Sequence, residues 1–181
     1  LTERDSNNPW HGVNPLTGEP DIFKAIIEIT KGSRAKYELD KETGLLKLDR
    51  VLYASTFYPA NYGFIPQSFC GDGDPLDILV LTDIDILPLT LVRARPIGVM
   101  QMLDEGADDD KIIAVAADDP FYGHIREIEQ LGDHFLAALR AFFEDYKKLE
   151  NKLVKVADFG DRQAALQIVA DSFQLYQSTF R

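Results

Sequence analysis

The segment CGDGDPLDILVL (70–81) puts Asp72, Asp74 and Asp77 within six residues and then turns apolar. In a regular strand Asp72 and Asp74 would share one face and Asp77 would point to the other. Gly73 and Pro75 disfavour that geometry, so a bent segment could bring all three carboxylates to one point. Left uncompensated, such a cluster raises the pKa of at least one member. A hard divalent cation relieves the repulsion, and carboxylate oxygens are the ligands Mg²⁺ prefers. An acidic surface turn accounts for the same composition, and on this segment alone both readings stand. A calcium EF-hand fits poorly, because the positions that need glycine and glutamate hold Asp77 and Asp83.

A second acidic stretch, LDEGADDDK (103–111), carries Asp104, Glu105, Asp108, Asp109 and Asp110 between apolar runs. A solvated hairpin loop explains Glu105, Asp108 and Asp110. Two acidic clusters in one domain nevertheless make a multi-metal site if the fold joins them. A third set is basic and aromatic. Lys36 and Glu38 share a face at period two, and Arg50 ends the next strand. FYPANYGFIP (57–66) offers Tyr58, Asn61 and Tyr62, and Tyr146 and Lys147 fall late in a helical pattern. Each has an ordinary explanation as a surface ion pair, a core tyrosine or a helix-terminal lysine. Together with the carboxylates they suit a small, oxygen-rich anion such as a phosphate.

These residues need a scaffold. Residues 1–20, rich in Asn, Pro and Gly, read as an irregular arm that Trp10 pins to the body, with His11 on the surface. IFKAIIEIT (22–30) alternates Phe23, Ala25, Ile27 and Ile29 against Lys24, Ile26 and Glu28, the pattern of a strand. KYELDKETGLLKLDR (36–50) reads as two strands around a turn where Gly44 takes positive φ. Further strands are expected at 76–81, 89–103 and 111–117. Apolar residues from Leu131 to Tyr146 recur at helical spacing, giving a helix over about 131–150. A second helix is expected from an Asp161 N-cap to Tyr176. Strands first and helices last indicate a single α+β domain over 1–181, mainly β, with helices packed on a small antiparallel sheet or barrel.

The composition restricts partners. The 181 residues are 45% hydrophobic and 27% charged, as in ordinary globular domains. A net charge of −11 argues against sequence-independent nucleic-acid binding, and demands cations if the ligand is an anion. No apolar run approaches the ~18 residues of a membrane span. No signal-like leader stands at the start, and residues before Leu1 are expected from the absent methionine. The single cysteine, Cys70, fits a reducing compartment, so a cytoplasmic location is expected, with the thiol a small buried apolar group. His124 and His134 read as structural or interfacial.

The chain resembles the soluble inorganic pyrophosphatases of family I, of bacterial and plant type. DGDPLD (72–77) matches the signature D-[SGDN]-D-[PE]-[LIVMF]-D. IEI around Glu28, KYELDKETG, LDR ending at Arg50, FYPANYGFIP, MLDEGADDDK and FFEDYKK follow in the family's order. The resemblance runs from about Asp21 to Lys155. It implies a five-stranded, OB-like closed β-barrel flanked by two main α-helices. It also implies Mg²⁺-dependent hydrolysis of pyrophosphate to two orthophosphates, by in-line attack of a metal-activated water without a covalent phosphoenzyme. By the same resemblance Glu28, Asp72, Asp74, Asp77, Asp104 and Asp109 ligate metal, with three to four Mg²⁺ per site when substrate is present. Asp74 acts as general base and is assigned a catalytic role together with Tyr62. Lys36, Arg50, Tyr62, Tyr146 and Lys147 bind pyrophosphate, while Glu38, Tyr58, Asn61 and Lys111 support them. A homohexamer is the assembly the resemblance suggests. An OB-like module for oligonucleotides and a hydrolase of nucleotides or organic diphosphates are the competing readings. The negative charge disfavours the first, and no base- or sugar-reading motif supports the second.

Overall fold

The computed structural model describes residues 7–181; the first six residues of the expected arm lie outside it. A one-turn helix, α1 (Pro9–Gly12), interrupts the arm, capped by the Asn8 side chain on the Trp10 amide. Trp10 is buried and its indole N–H donates to the Ser68 carbonyl at 2.8 Å. His11, expected at the surface, instead stacks on Trp10 with ring centroids 4.4 Å apart and lies 2.7 Å from the Tyr176 hydroxyl.

Nine strands follow: β1 (Phe23–Ile29), β2 (Ala35–Leu39), β3 (Leu46–Val51), β4 (Asn61–Phe64), β5 (Asp77–Leu81), β6 (Leu91–Asp104), β7 (Ala107–Asp108), β8 (Lys111–Ala116) and β9 (Val154–Gly160). Strand β1 pairs with β4, β4 with β5, β5 with β8, β8 with β6, and β6 returns to β1. Those five strands close into a ring, which leaves no open edge between its first and last members. The expected five-stranded barrel is thus present. It is not wholly antiparallel, because β5 and β8 run parallel, Asp77 opposite Lys111. The fourteen-residue β6 exceeds the ring's needs, and its far end pairs with β9 and β7. Strands β2 and β3 form a separate hairpin whose turn includes Gly44 at φ 71°, as its position in the sequence requires.

The barrel strands are apolar on both faces, so alternation gives way to near-continuous runs. Ile78 and Val80 of β5, with Ile112 and Ala114 of β8, enter one core cluster; Leu79 and Leu81, with Ile113 and Val115, enter the other. Helix α2 (Asp133–Asp145) covers the second cluster with Leu139, Phe142 and Phe143. Helix α3 (Arg162–Phe180) covers the first with Ala165 and Val169, and Asp161 caps it by accepting from the Ala164 amide at 2.8 Å. These are the two main helices expected, although α2 is shorter than the 131–150 span. Single 3₁₀ turns at Ile128–Leu131 and Lys148–Glu150 flank it, and Tyr146 and Lys147 stand just past its end. No helix among the described residues is long and apolar enough to cross a membrane.

Candidate active site

A cleft of about 650 Å³ opens where the β2–β3 hairpin, the 72–77 loop, the 104–111 turn and the end of α2 meet. Its walls include Glu28, Lys36, Glu38, Tyr58, Tyr62, Asp72, Asp74, Asp77, Asp104, Asp109, Lys111, Tyr146 and Lys147. The two acidic clusters, 30 residues apart in sequence, therefore share one space because β5 and β8 lie side by side. The loop that delivers Asp72 and Asp74 is a tight turn with Gly73 at φ 89° and the Asp74 amide bonded to Asp72 Oδ1 at 3.0 Å. A residue with a side chain would be strained at Gly73.

Two predicted residues are not in the cleft wall. Asn61 is fully buried and joins backbone to backbone: its Oδ1 accepts from the Lys31 and Ile86 amides at 3.0 Å, and its Nδ2 donates to Ile84 O. Arg50 lies behind Tyr146, its guanidinium 6.0 Å from that ring and 3.2 Å from Glu150. Its Nε and Nη2 are buried without hydrogen-bond partners. Conversely, the cleft includes residues that sequence reasoning passed over, among them Trp10, Asp40, Lys41, Glu42 and Lys47. Four of these lie on the KYELDKETGLLK hairpin, where the sequence singles out only Lys36 and Glu38. Glu105 and Asp108, assigned to a solvated loop, also reach the rim; Asp110, His124 and His134 do not.

Lysines neutralise the carboxylates here. Lys111, 2% exposed, donates to Asp77 Oδ2 at 2.6 Å, to Asp109 Oδ1 at 2.9 Å and to the Tyr62 hydroxyl at 3.0 Å. Burial works against its charge, but Asp77, Tyr62 and Asp109 outweigh that and hold its pKa well above the usual lysine value. The Tyr62 phenol donates to Asp77 Oδ2 at 2.5 Å, and burial, followed by Asp77, keeps it protonated. Lys147 pairs with Asp104, Lys41 with Asp74, and Lys36 sits 3.5 Å from Glu38 and 3.3 Å from Asp49. Glu28 is the exception. It is 7% exposed and accepts from the Leu39 amide at 2.7 Å, which ties β1 to the hairpin. Burial above all, with Asp77 and Glu38 adding to it, pushes its pKa up to about 8 against the opposing Leu39 amide and Lys36. Cys70 is half-buried beside this loop, and burial, then Asp72, pushes its thiol up to about 12, so it is not a nucleophile at neutral pH.

As arranged, no three His, Cys, Asp or Glu side chains among the described residues form a ready metal cage. The donor chemistry nevertheless fits a hard cation. The candidate ligands are all carboxylates, Glu28 is forced towards its neutral form beside another acid, and Asp104 Oδ1 is buried with no partner.

The fold and cleft define a small closed β-barrel with two packed helices and an acidic, lysine-studded site. A family model for inorganic pyrophosphatase matches residues 25–177. Soluble inorganic pyrophosphatase 2 of Chlamydomonas reinhardtii is 51% identical over 175 residues, 97% of this chain and 91% of that protein. Soluble inorganic pyrophosphatase PPA1 of Solanum tuberosum is 54% identical over 169 residues, 93% and 80% of the two chains. The crystal structure of inorganic pyrophosphatase from Thermus thermophilus superposes with a TM-score of 0.88 at 40% identity, covering 91% of this chain and 97% of that one. This chain belongs to the inorganic pyrophosphatase family.

Proposed function

We propose that the cleft hydrolyses inorganic pyrophosphate to two orthophosphates, with Mg²⁺ as the working cation, by direct in-line attack of water. The observation that carries the reading is the meeting of all six candidate metal-ligating carboxylates with Lys36, Lys111 and Lys147 in one cleft, with Asp104 Oδ1 buried and without a hydrogen-bond partner. Glu28, Asp72, Asp74, Asp77, Asp104 and Asp109 would hold the cations, three to four of them with substrate present. Bound there, they supply charge neutralisation and a lowered pKa for water.

The chain's own groups do the rest. Asp74, half exposed and within the bent loop, takes the proton from the attacking water. Lys36 and Lys147 bind phosphoryl oxygens. Arg50, assigned the same role, stands behind Tyr146 with its buried Nε and Nη2 free of hydrogen bonds, a paired grip that reaches substrate only when Tyr146 moves aside. Tyr62 and Lys111 hold the Asp77 carboxylate in place, and Tyr146 closes the wall in front of Arg50. Nothing in this sequence of events needs a protein nucleophile, so no phosphoenzyme forms. The lone cysteine supports a reducing, cytoplasmic setting. Exposed Ile84, Leu87 and Leu89 on the β5–β6 connection, with Leu91 at the start of β6, support self-association, and the homohexamer is the assembly that the family resemblance suggests.

A substrate panel tests the reading: phosphate release from pyrophosphate, nucleoside triphosphates and organic diphosphates, each with Mg²⁺ and with EDTA. Pyrophosphate is expected to be turned over preferentially and only with the metal. Equal turnover of the organic substrates would contradict it.

A further inference from the structure

Lys41 belongs to no part of the chemistry above, yet its ammonium pairs with Asp74 and donates to the Gly73 carbonyl at 3.1 Å. Its surroundings fix it from behind. Asp40 Oδ2 accepts from the Thr43 amide at 3.0 Å and hydroxyl at 2.5 Å, which locks the hairpin turn. The Asn8 side-chain amide donates to the Lys41 carbonyl at 2.8 Å, and a Cβ on Gly44 would stand 3.1 Å from Pro9. The ammonium lies 5.6 Å above the Trp10 indole, within reach of a cation–π attraction. Trp10 reaches the base of the same acidic loop as well: its N–H donates to Ser68 O, and the Ser68 hydroxyl accepts from the Leu76 amide at 2.8 Å.

The arm thus holds the 70–76 loop at its base, through Ser68 and the Leu76 amide, and at its tip, through Lys41 on Gly73 and Asp74. We propose that Lys41, set in place by Asn8 and Trp10 of the N-terminal arm, is a positioning residue that fixes the Asp74 carboxylate for its proton transfer. Its value does not lie in stability. Lys41 and Asp74 are 49% and 55% exposed, and ion pairs that open to solvent contribute little to folding. A base held in the wrong orientation, in contrast, slows a reaction steeply. The inference rests on the general-base reading of Asp74.

Lys41→Met should lower kcat about tenfold, leave KM within about twofold and leave Tm within about 2 °C. Lys41→Arg should recover most of that loss, and Asn8→Ala, which loosens the turn but keeps the charge, should give a smaller fall of the same kind. A second readout needs no turnover. Trp10 is the sole tryptophan, so its emission reports the ammonium above it. Asp74→Asn should shift that emission in the parent protein and not in Lys41→Met. An unchanged kcat in Lys41→Met, a loss carried by KM, a large fall in Tm, or an emission shift that is the same in both backgrounds would each overturn the proposal. Failure of the parent protein to hydrolyse pyrophosphate would instead count against the reading of the site.

Discussion

Asp74, like Asp72, stands open to solvent on a loop bent by Gly73, whereas Asp77 and Asp109 are pinned by a buried lysine. A half-exposed carboxylate can meet a water; in Asp77 the oxygen that accepts from both Tyr62 and Lys111 is committed, and only its other oxygen is left for a cation. Asp74→Asn, nearly isosteric, is therefore expected to cut turnover by about 10²–10⁴-fold without changing the urea midpoint, a comparison of phosphate release and denaturation. Lys111→Met tests the other type of residue. It strips the counter-ion from Asp77 and Asp109 in a buried site, and the expected cost is about 3–5 kcal/mol of stability, read from chemical unfolding. Much of this was legible in the sequence, since DGDPLD, LDEGADDDK and KYELDKETG carry the charged residues themselves. What the residue types alone did not show is which charges face one another. Glu150 meets Arg50 from a 3₁₀ turn 100 residues away, and Lys41 meets Asp74 only because the arm holds a hairpin over the loop.

At the level of elements, the strongly periodic segments are legible in the sequence, while β4, β7 and β9 are not. Strand β4 has only four residues, preceded by Pro59 and containing Gly63, so no alternation shows. Strand β9 did offer a signal, with Val154 and Val156 buried and Lys155 exposed between them, but two apolar positions after a helix are weak evidence. The parallel β5–β8 pair left no local trace, because direction depends on how the chain returns. Elements also depend on turn chemistry. Asp119 accepts from the Thr82 hydroxyl at 2.5 Å and from the amides of Asp83 at 2.8 Å, Phe121 at 2.6 Å and Tyr122 at 3.2 Å, which ties the exit of β5 to the exit of β8. Burial acts to raise its pKa, but these bonds outweigh it and lower it to about 2. A carboxyl depressed in the folded state stabilises above its unfolded value, and that contribution fades as pH falls through the folded one. Asp119→Asn should thus cost about 1 kcal/mol at neutral pH. The difference from the parent protein, measured by denaturation, should shrink between roughly pH 4 and the folded value.

The whole molecule poses one problem, a chain of net charge −11 that is to hold a polyanion. Lysines 41, 111 and 147 pair with Asp74, with Asp77 and Asp109, and with Asp104, and so offset part of the charge of the acidic cleft. Added Mg²⁺ should then raise Tm by mass action, by an amount equivalent to about 2.7 kcal/mol at a hundredfold excess over Kd. Phosphate should raise it further only when Mg²⁺ is present, which a thermal-shift titration in both orders would show. Ring closure was the global feature least accessible from the sequence alone: β1 and β6 pair across about 70 residues, and no local pattern encodes that contact. It entered through family resemblance. The central claim, that this acidic cleft works on pyrophosphate through divalent cations, is tested most directly by phosphate release from pyrophosphate with Mg²⁺, with Ca²⁺ and with EDTA. The account predicts rapid release with Mg²⁺, abolished by EDTA. Release that persists unchanged in EDTA, or none with Mg²⁺ from a correctly folded protein, would contradict it.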